Sequence, residues 1–268
     1  MKLTVLADNN TLIDRYYLGE PAFSVYIEAD GKRILFDTGY SDVFLKNAEA
    51  LGISLSGLDA IVLSHGHNDH TGGLKILPER CEVNGTELVY MPGVFSRRRD
   101  QGLEVGAPIT EETCEAYGMK LNETDMPVRL STHLVFLGRI PGCTSFEAQH
   151  PIGMILRNGK WENDFIRDDT ALMYEGTEGV FVITGCSHSG ICNIVLQAEK
   201  LSGKPVTGIL GGFHLMENAP VDETAEFLKE HVKGTLYPCH CVSLYAKHRL
   251  MNELAVRETG AGMSLNIE

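Results

Sequence analysis

Four potential metal ligands stand within six residues, in His65-Gly66-His67-Asn68-Asp69-His70. They follow the apolar run Ala60–Leu63, and Gly66, Gly72 and Gly73 give the segment tight-turn freedom. Imidazole and carboxylate suit zinc first, with manganese or iron as alternatives. His65 and His67, two residues apart, can point the same way and chelate one ion, while Asp69 and His70 can turn to a second. The bland alternative is a polar surface loop with chance histidines, but four ligands at this spacing rarely arise by accident. A bound divalent ion lowers the pKa of its water toward ~7, and two ions can hold nucleophile and substrate oxygen together. Asp69 is the candidate catalytic residue, positioning a metal and accepting a proton from the water.

This loop resembles the signature of the metallo-β-lactamase-fold family, H-x-H-x-D-H at the end of a strand. The resemblance covers essentially the whole chain. It implies an αββα sandwich of two mixed sheets flanked by helices, with a one- or two-metal site at one sheet edge. It also implies a role for Leu35-Phe36-Asp37-Thr38-Gly39. The family carries an Asp-Thr-Gly at a strand end ahead of the loop, and that Asp supports the ligands from behind. Taken alone, Asp37 is simply a turn former.

Further ligands come from later strand ends. Gly185-Cys186-Ser187-His188-Ser189-Gly190 follows the strand Val180–Thr184 and opens a helix, so a ligand there is held rigidly. His188 is read as a ligand. Cys186 stands where the family commonly places a metal-bridging Asp, and it is either a thiolate ligand or a packing residue. Ser187 and Ser189 are expected to cap the helix. In Tyr237-Pro238-Cys239-His240-Cys241 the family pattern makes His240 the last ligand. Cys239 and Cys241, its neighbours on an extended chain, are expected to face away. His214, in Gly211-Gly212-Phe213-His214-Leu215, is open between ligand, substrate contact and structural residue. The family's Gly-His-Thr turn is absent; His188 is the candidate replacement and His150 the fallback.

Three segments narrow the resemblance: Gly185–His188, Gly211–Leu215, and Gly138-Arg139-Ile140-Pro141 with Thr144-Ser145-Phe146-Glu147. They are similar to a subfamily that includes an archaeal synthase joining a dihydropterin to an aminobenzene ribofuranosyl phosphate. If that reaction holds, the metals stabilise a leaving pyrophosphate while carbon attacks. Arg97, Arg98 and Arg99 form the only dense basic run. They are candidates for a phosphate clamp, against the alternative of a solvated charged face. Arg139 and Glu147 either line the pocket or pair structurally.

The elements that must position these groups are short. Leu3–Leu6, Phe23–Ile27 and Arg33–Phe36 read as strands, the last two joined by a turn at Ala29-Asp30-Gly31. Val43 to Leu51 reads as a helix ending at Gly52, and Thr71 to Leu77 as a short helix stopped by Pro78. Further strands are expected at Glu87–Tyr90, Leu134–Leu137, Thr170–Tyr174, Val206–Leu210 and Thr235–Tyr237. Helices are expected from Ser189 to Leu201, Val221 to Val232 and Val242 to Val256. The polar stretch 92–127 reads as an insertion with some helix, able to cover the site. The chain 1–268 is expected to be one layered domain.

Composition limits the partners. With 23 Lys+Arg against 36 Asp+Glu the net charge is −13, which argues against nucleic acid. No apolar run approaches the ~20 residues of a membrane span. Met1 to Asn9 is too short for a secretory signal. Seven cysteines, an odd number spread along the chain, argue for reduced thiols, and a cytoplasmic location is expected. The leading reading is a hydrolase or transferase with two divalent ions acting on a small anionic metabolite, its oligomeric state left open. The alternatives are a redox di-iron protein of the same fold and a non-catalytic metal-binding module.

Overall fold

The computed structural model describes residues 1–148 and 150–268. Two sheets face each other. The larger has seven strands, ordered Ser264–Asn266, Lys2–Ala7, Ser24–Ala29, Lys32–Phe36, Ala60–Val62, Glu87–Tyr90, Lys120–Glu123. The second has six, ordered Val232–Pro238, Val206–Gly211, Val180–Thr184, Ala171–Glu175, Leu134–Phe136, Val128–Arg129. Both are mixed: antiparallel hairpins on one side, parallel strands on the other.

Strand periodicity shows how the layers form. In the second sheet, Leu134, Phe136, Leu172, Phe181, Ile183 and Leu210 join the core shared with the first sheet. Their chain neighbours Val135, Ala171, Met173, Val180, Val182 and Ile209 join a separate core beneath helices Ile191–Ser202 and Val221–His231. Successive strand residues point to opposite faces, so an unbroken apolar strand needs a cover on each side. Helix Val43–Ala50 covers the first sheet, burying Phe44, Leu45 and Ala48. The result is the helix–sheet–sheet–helix sandwich that the resemblance implied. Among the described residues, no helix is long and apolar enough to cross a membrane.

Local chemistry explains the element ends. The hairpin of Ser24–Ala29 and Lys32–Phe36 turns through Asp30 and Gly31, at φ 53° and 79°. Two left-handed residues match the twist of a tight hairpin. Helix Ile191–Ser202 stops at left-handed Gly203.

Several expectations are corrected. The helix expected from Thr71 to Leu77 is three short pieces: Asn68–Thr71, the tighter turn Gly72–Lys75, and Leu77–Arg80. Pro78 does not stop a helix; it sits in the first turn of the last piece, where its missing N–H costs nothing. The helix expected from Val242 begins instead at Leu244, where the Ser243 side chain caps it, and ends at Met251. Within 92–127, helix Glu111–Ala116 leads to strand Lys120–Glu123, which edges the large sheet. Arg98–Asp100 and Leu103–Glu104 join hairpin Met154–Arg157/Lys160–Asn163 in a small four-stranded sheet. That hairpin has a legible signal that the strand reading missed: Asn158-Gly159 at φ 50° and 75°.

Candidate metal centre

The candidate ligands leave the sandwich where strands end. Asp37 follows Lys32–Phe36, His65 follows Ala60–Val62, Cys186 and His188 follow Val180–Thr184, His214 follows Val206–Gly211, and His240 follows Val232–Pro238. Parallel pairing brings these carboxyl ends to the same edge. Asp37, Ser187, His214 and His240 all turn off their strands with left-handed φ of 56°, 61°, 51° and 53°. Non-glycine residues adopt this region at a cost, and such positions gather at functional sites.

The donor atoms fall into three overlapping groups, each with its atoms within 4.8 Å of one another. One is His65, His67 and His188; another is Asp69, His70, Cys186 and His240; the third is Cys186, His188 and His214. Nε2 of His65 lies 3.1 Å from Nδ1 of His67. Nε2 of His70 lies 3.2 Å from both His240 Nε2 and Cys186 Sγ. Asp69 Oδ2 is 3.3 Å from His240 Nε2 and 3.6 Å from His70 Nε2.

Buried partners aim these rings. Asp37, fully buried, accepts hydrogen bonds from the Ser64 amide, the Ser64 hydroxyl and His70 Nδ1, each at 2.7 Å. The bond to Nδ1 leaves His70 Nε2 directed into the site. The side-chain oxygen of Asn9 accepts from His240 Nδ1 at 3.0 Å, and Asp8 accepts from its backbone amide at 2.8 Å.

The electrostatics suit a cation. Burial, then the neighbouring His70 and His188, holds His65 well below the usual imidazole range. Burial also lowers His67 to about 4. His188 falls well below its ordinary value through burial and the nearby His214. These rings are therefore neutral, the state in which imidazole binds metal. Burial pushes Asp69 up, but His70 and His240 outweigh it and hold the carboxylate below its usual range. Burial opposes charge on His70, yet Asp69 and Asp37 raise it to about 9, so an ion bound at its Nε2 must displace a proton.

The residues fit a divalent ion on a further count. His67 Nε2, both ring nitrogens of His188 and His214 Nδ1 are buried with no hydrogen-bond partner. Buried polar atoms nearly always have one, and a cation whose bonds run about 2.0–2.3 Å is the partner that imidazole and thiolate share.

All six residues expected as ligands, His65, His67, Asp69, His70, His188 and His240, stand in the first two groups. The buried Cys186 thiol lies within reach of both of these sets of donors, and His214 lies beside it. His150 is exposed and belongs to no group.

Two expectations fail. Cys241 does not face away: its thiol interacts with His214 and Cys186. The left-handed φ at His240 breaks the strand alternation on which the expectation rested; Cys239 does turn into the core. Arg98 is not a substrate clamp. It is 1% exposed, and its guanidinium is committed to Asp164, Asp168 and the Val94 carbonyl. Arg139 pairs with Asp125 at the surface, 2.9 Å away. Glu147 caps a helix, accepting from the amides of Cys192 and Asn193.

A cavity of about 350 Å³ opens on His67 and Asp69, with Tyr40, Asn68 and Asp100 in its walls. A second, of about 560 Å³, shares Tyr40 and Asn68 and carries Lys75, Arg97 and Glu104. Arg97 thus reaches a cavity wall, paired there with Glu104 at 2.6 Å. Arg99 instead lies over the Trp161 ring, 4.2 Å from its centroid.

Known proteins agree with this architecture. The family profile described as the metallo-beta-lactamase superfamily matches residues 18–88. An uncharacterised protein of Methanocaldococcus jannaschii is 30% identical over 92% of this chain and 93% of its own length. The same organism's 7,8-dihydropterin-6-methyl-4-(beta-D-ribofuranosyl)-aminobenzene-5'-phosphate synthase is 31% identical over 87% of this chain and 83% of its own. A crystal structure described as a metal-dependent hydrolase of the beta-lactamase superfamily superposes with a TM-score of 0.84 at 28% identity, covering 100% of this chain and 99% of that one. Zinc-bound PqqB from Methylobacterium extorquens shares the fold, with a TM-score of 0.57 at 12% identity and both chains covered in full. Sequence, fold and donor arrangement together place the chain in the metallo-β-lactamase superfamily.

Proposed function

We propose that this chain is a metal-dependent hydrolase or transferase with two divalent ions, zinc by preference, acting on a small anionic metabolite of phosphate or pterin type. The observation that carries this reading is the pair of adjoining donor groups with orphaned ring nitrogens beside an open cavity. His65, His67 and His188 would hold one ion, and Asp69, His70, Cys186 and His240 the other. Ions bound there supply Lewis acidity toward the substrate oxygen and a lowered pKa for coordinated water.

The chain's own residues do the rest. Asp37 and Asn9 keep His70 and His240 in one tautomer and orientation. Asp69, ionised beside two imidazoles, is placed to accept a proton at Oδ2. Lys75 offers positive charge to an anionic arm extending into the second cavity, where Arg97 is paired with Glu104. The archaeal synthase relative supports the transferase branch, and the hydrolase neighbour supports the other. A donor set with Asp69 as its one carboxylate favours both over a redox di-iron site. The test is metal analysis of the purified chain, with assays on a chromogenic phosphodiester and on a dihydropterin pyrophosphate plus an aminobenzene ribofuranosyl phosphate. Two zinc ions per chain and turnover of either substrate are expected, with one ion and the turnover lost in a His65→Ala/His67→Ala variant. Unchanged metal content in that variant refutes the reading.

A further inference from the structure

One short acidic segment outside the donor groups touches both histidine loops. Asp168, Asp169 and Thr170 lead into strand Ala171–Glu175 and are buried, at 2%, 0% and 0% exposure. Asp168 Oδ2 accepts the amide of Gly66, between His65 and His67, at 2.8 Å. The Thr170 amide donates to the Ser64 carbonyl on the same loop at 2.9 Å. Asp169 Oδ2 accepts the amide of Ser189, next to His188, at 2.9 Å. Three consecutive residues therefore join the loop of His65 and His67 to the loop of His188.

Behind them sits Arg98. It holds Asp168 Oδ1 through Nη2 and Asp164 through Nε at 2.8 Å. A network that only packed the small sheet would need the arginine paired. It would not need the second oxygen of Asp168 turned to the amide between two candidate ligands. Carboxylate bonds to backbone amides are short and strong, and they act on a main chain without rotamer freedom. Asp37, Asp8 and Asn9 hold His70 and His240 of the other donor group, and Asp37 also reaches the Ser64 hydroxyl, 3.0 Å from His65 Nδ1.

We propose that Asp168 and Asp169, backed by Arg98, are positioning residues that set the separation of His188 from the His65/His67 pair, and so act more strongly on the ion at that group than on its neighbour. This rests on the reading that these histidines bind a divalent cation.

The experiment is zinc titration of the full chain and of its Asp168→Ala and Asp169→Ala variants. Cobalt(II) substitution runs in parallel, with the thiolate-to-cobalt absorption reporting the ion that Cys186 holds. Loss of such outer partners weakens metal binding by about 10–100-fold. That loss is expected for one of two ions, with the thiolate–cobalt band retained. Equal weakening of both ions, or of neither, overturns the inference. Asp168→Ala leaves Arg98 short of a partner; if it does not fold, Asp169→Ala, which spares the Arg98 pairs, decides by the same readout. A parent chain that takes up no zinc overturns the functional reading and this inference together. A parent with two ions and variants that match it overturn this inference only.

Discussion

Asp37→Asn isolates what a buried carboxylate does for the candidate centre. Asn tolerates the left-handed φ of 56° at this position, so the backbone is spared the strain an alanine would add. The side chain keeps its shape but loses its charge and one acceptor. Asp37 accepts three bonds at 2.7 Å, two of them converging on Oδ2. An amide retains the bond from the Ser64 backbone through its oxygen, but its NH₂ then faces His70 Nδ1 and cannot accept. A hydrogen bond to a charged group contributes about 1.5–3 kcal/mol. Converted at about 1.4 kcal/mol per tenfold, that is a ~10–100-fold loss of affinity, the range in which outer partners of metal ligands usually fall. The loss should concentrate on the ion held with His70. Competition with a chromophoric chelator measures both zinc constants, and urea melts of the metal-free protein measure stability. Two zinc constants within about twofold of the parent's would refute the argument that Asp37 orients His70. So would equal weakening of both ions.

Chelation of the parent chain should lower its stability, since an ion at 1,000 times its Kd contributes about 4 kcal/mol; thermal melts with EDTA and after zinc re-addition check this. Gly66→Ala should unfold the loop: an added Cβ would sit 1.9 Å from Arg98 Nη1 and 2.1 Å from the Val94 carbonyl. A loss of about 3 kcal/mol or more in urea is expected. Asp30 is held at about 2: burial opposes this, but His133 and Ser131 outweigh it. A depressed carboxylate stabilises above its unfolded pKa and loses that contribution as pH falls through the folded value. Asp30→Asn should therefore flatten stability between about pH 4 and pH 2, by under about 1 kcal/mol at this solvated site. Urea titrations across that range measure it.

The parts of the molecule that could be read in advance are those with local causes. The run Val180–Ile183 is apolar at every position, and it is buried at every position together with Thr184. Gly203 ends its helix because only a left-handed residue closes that turn without strain. The misreadings share a different origin. Cys241 was misplaced because one positive φ at His240 rotates the chain beyond it. Arg98 read as a phosphate ligand because nothing nearby in sequence shows that Asp164 and Asp168, 66 and 70 residues later, fold against it. Asp168 and Asp169 carry no motif at all; their role exists only through the two loops they touch.

By itself the sequence determined the donor types, their spacing in His65 to His70, and their placement at strand ends. These depend on side-chain chemistry and on a backbone that rises a few ångströms per residue. Only the tertiary structure decided which donors share a group. Cys186 meets His70 across 116 residues and His240 meets it across 170. Those meetings come from strand pairing within each sheet and from burial of the apolar faces between them. Neither is written in the spacing of the ligands themselves.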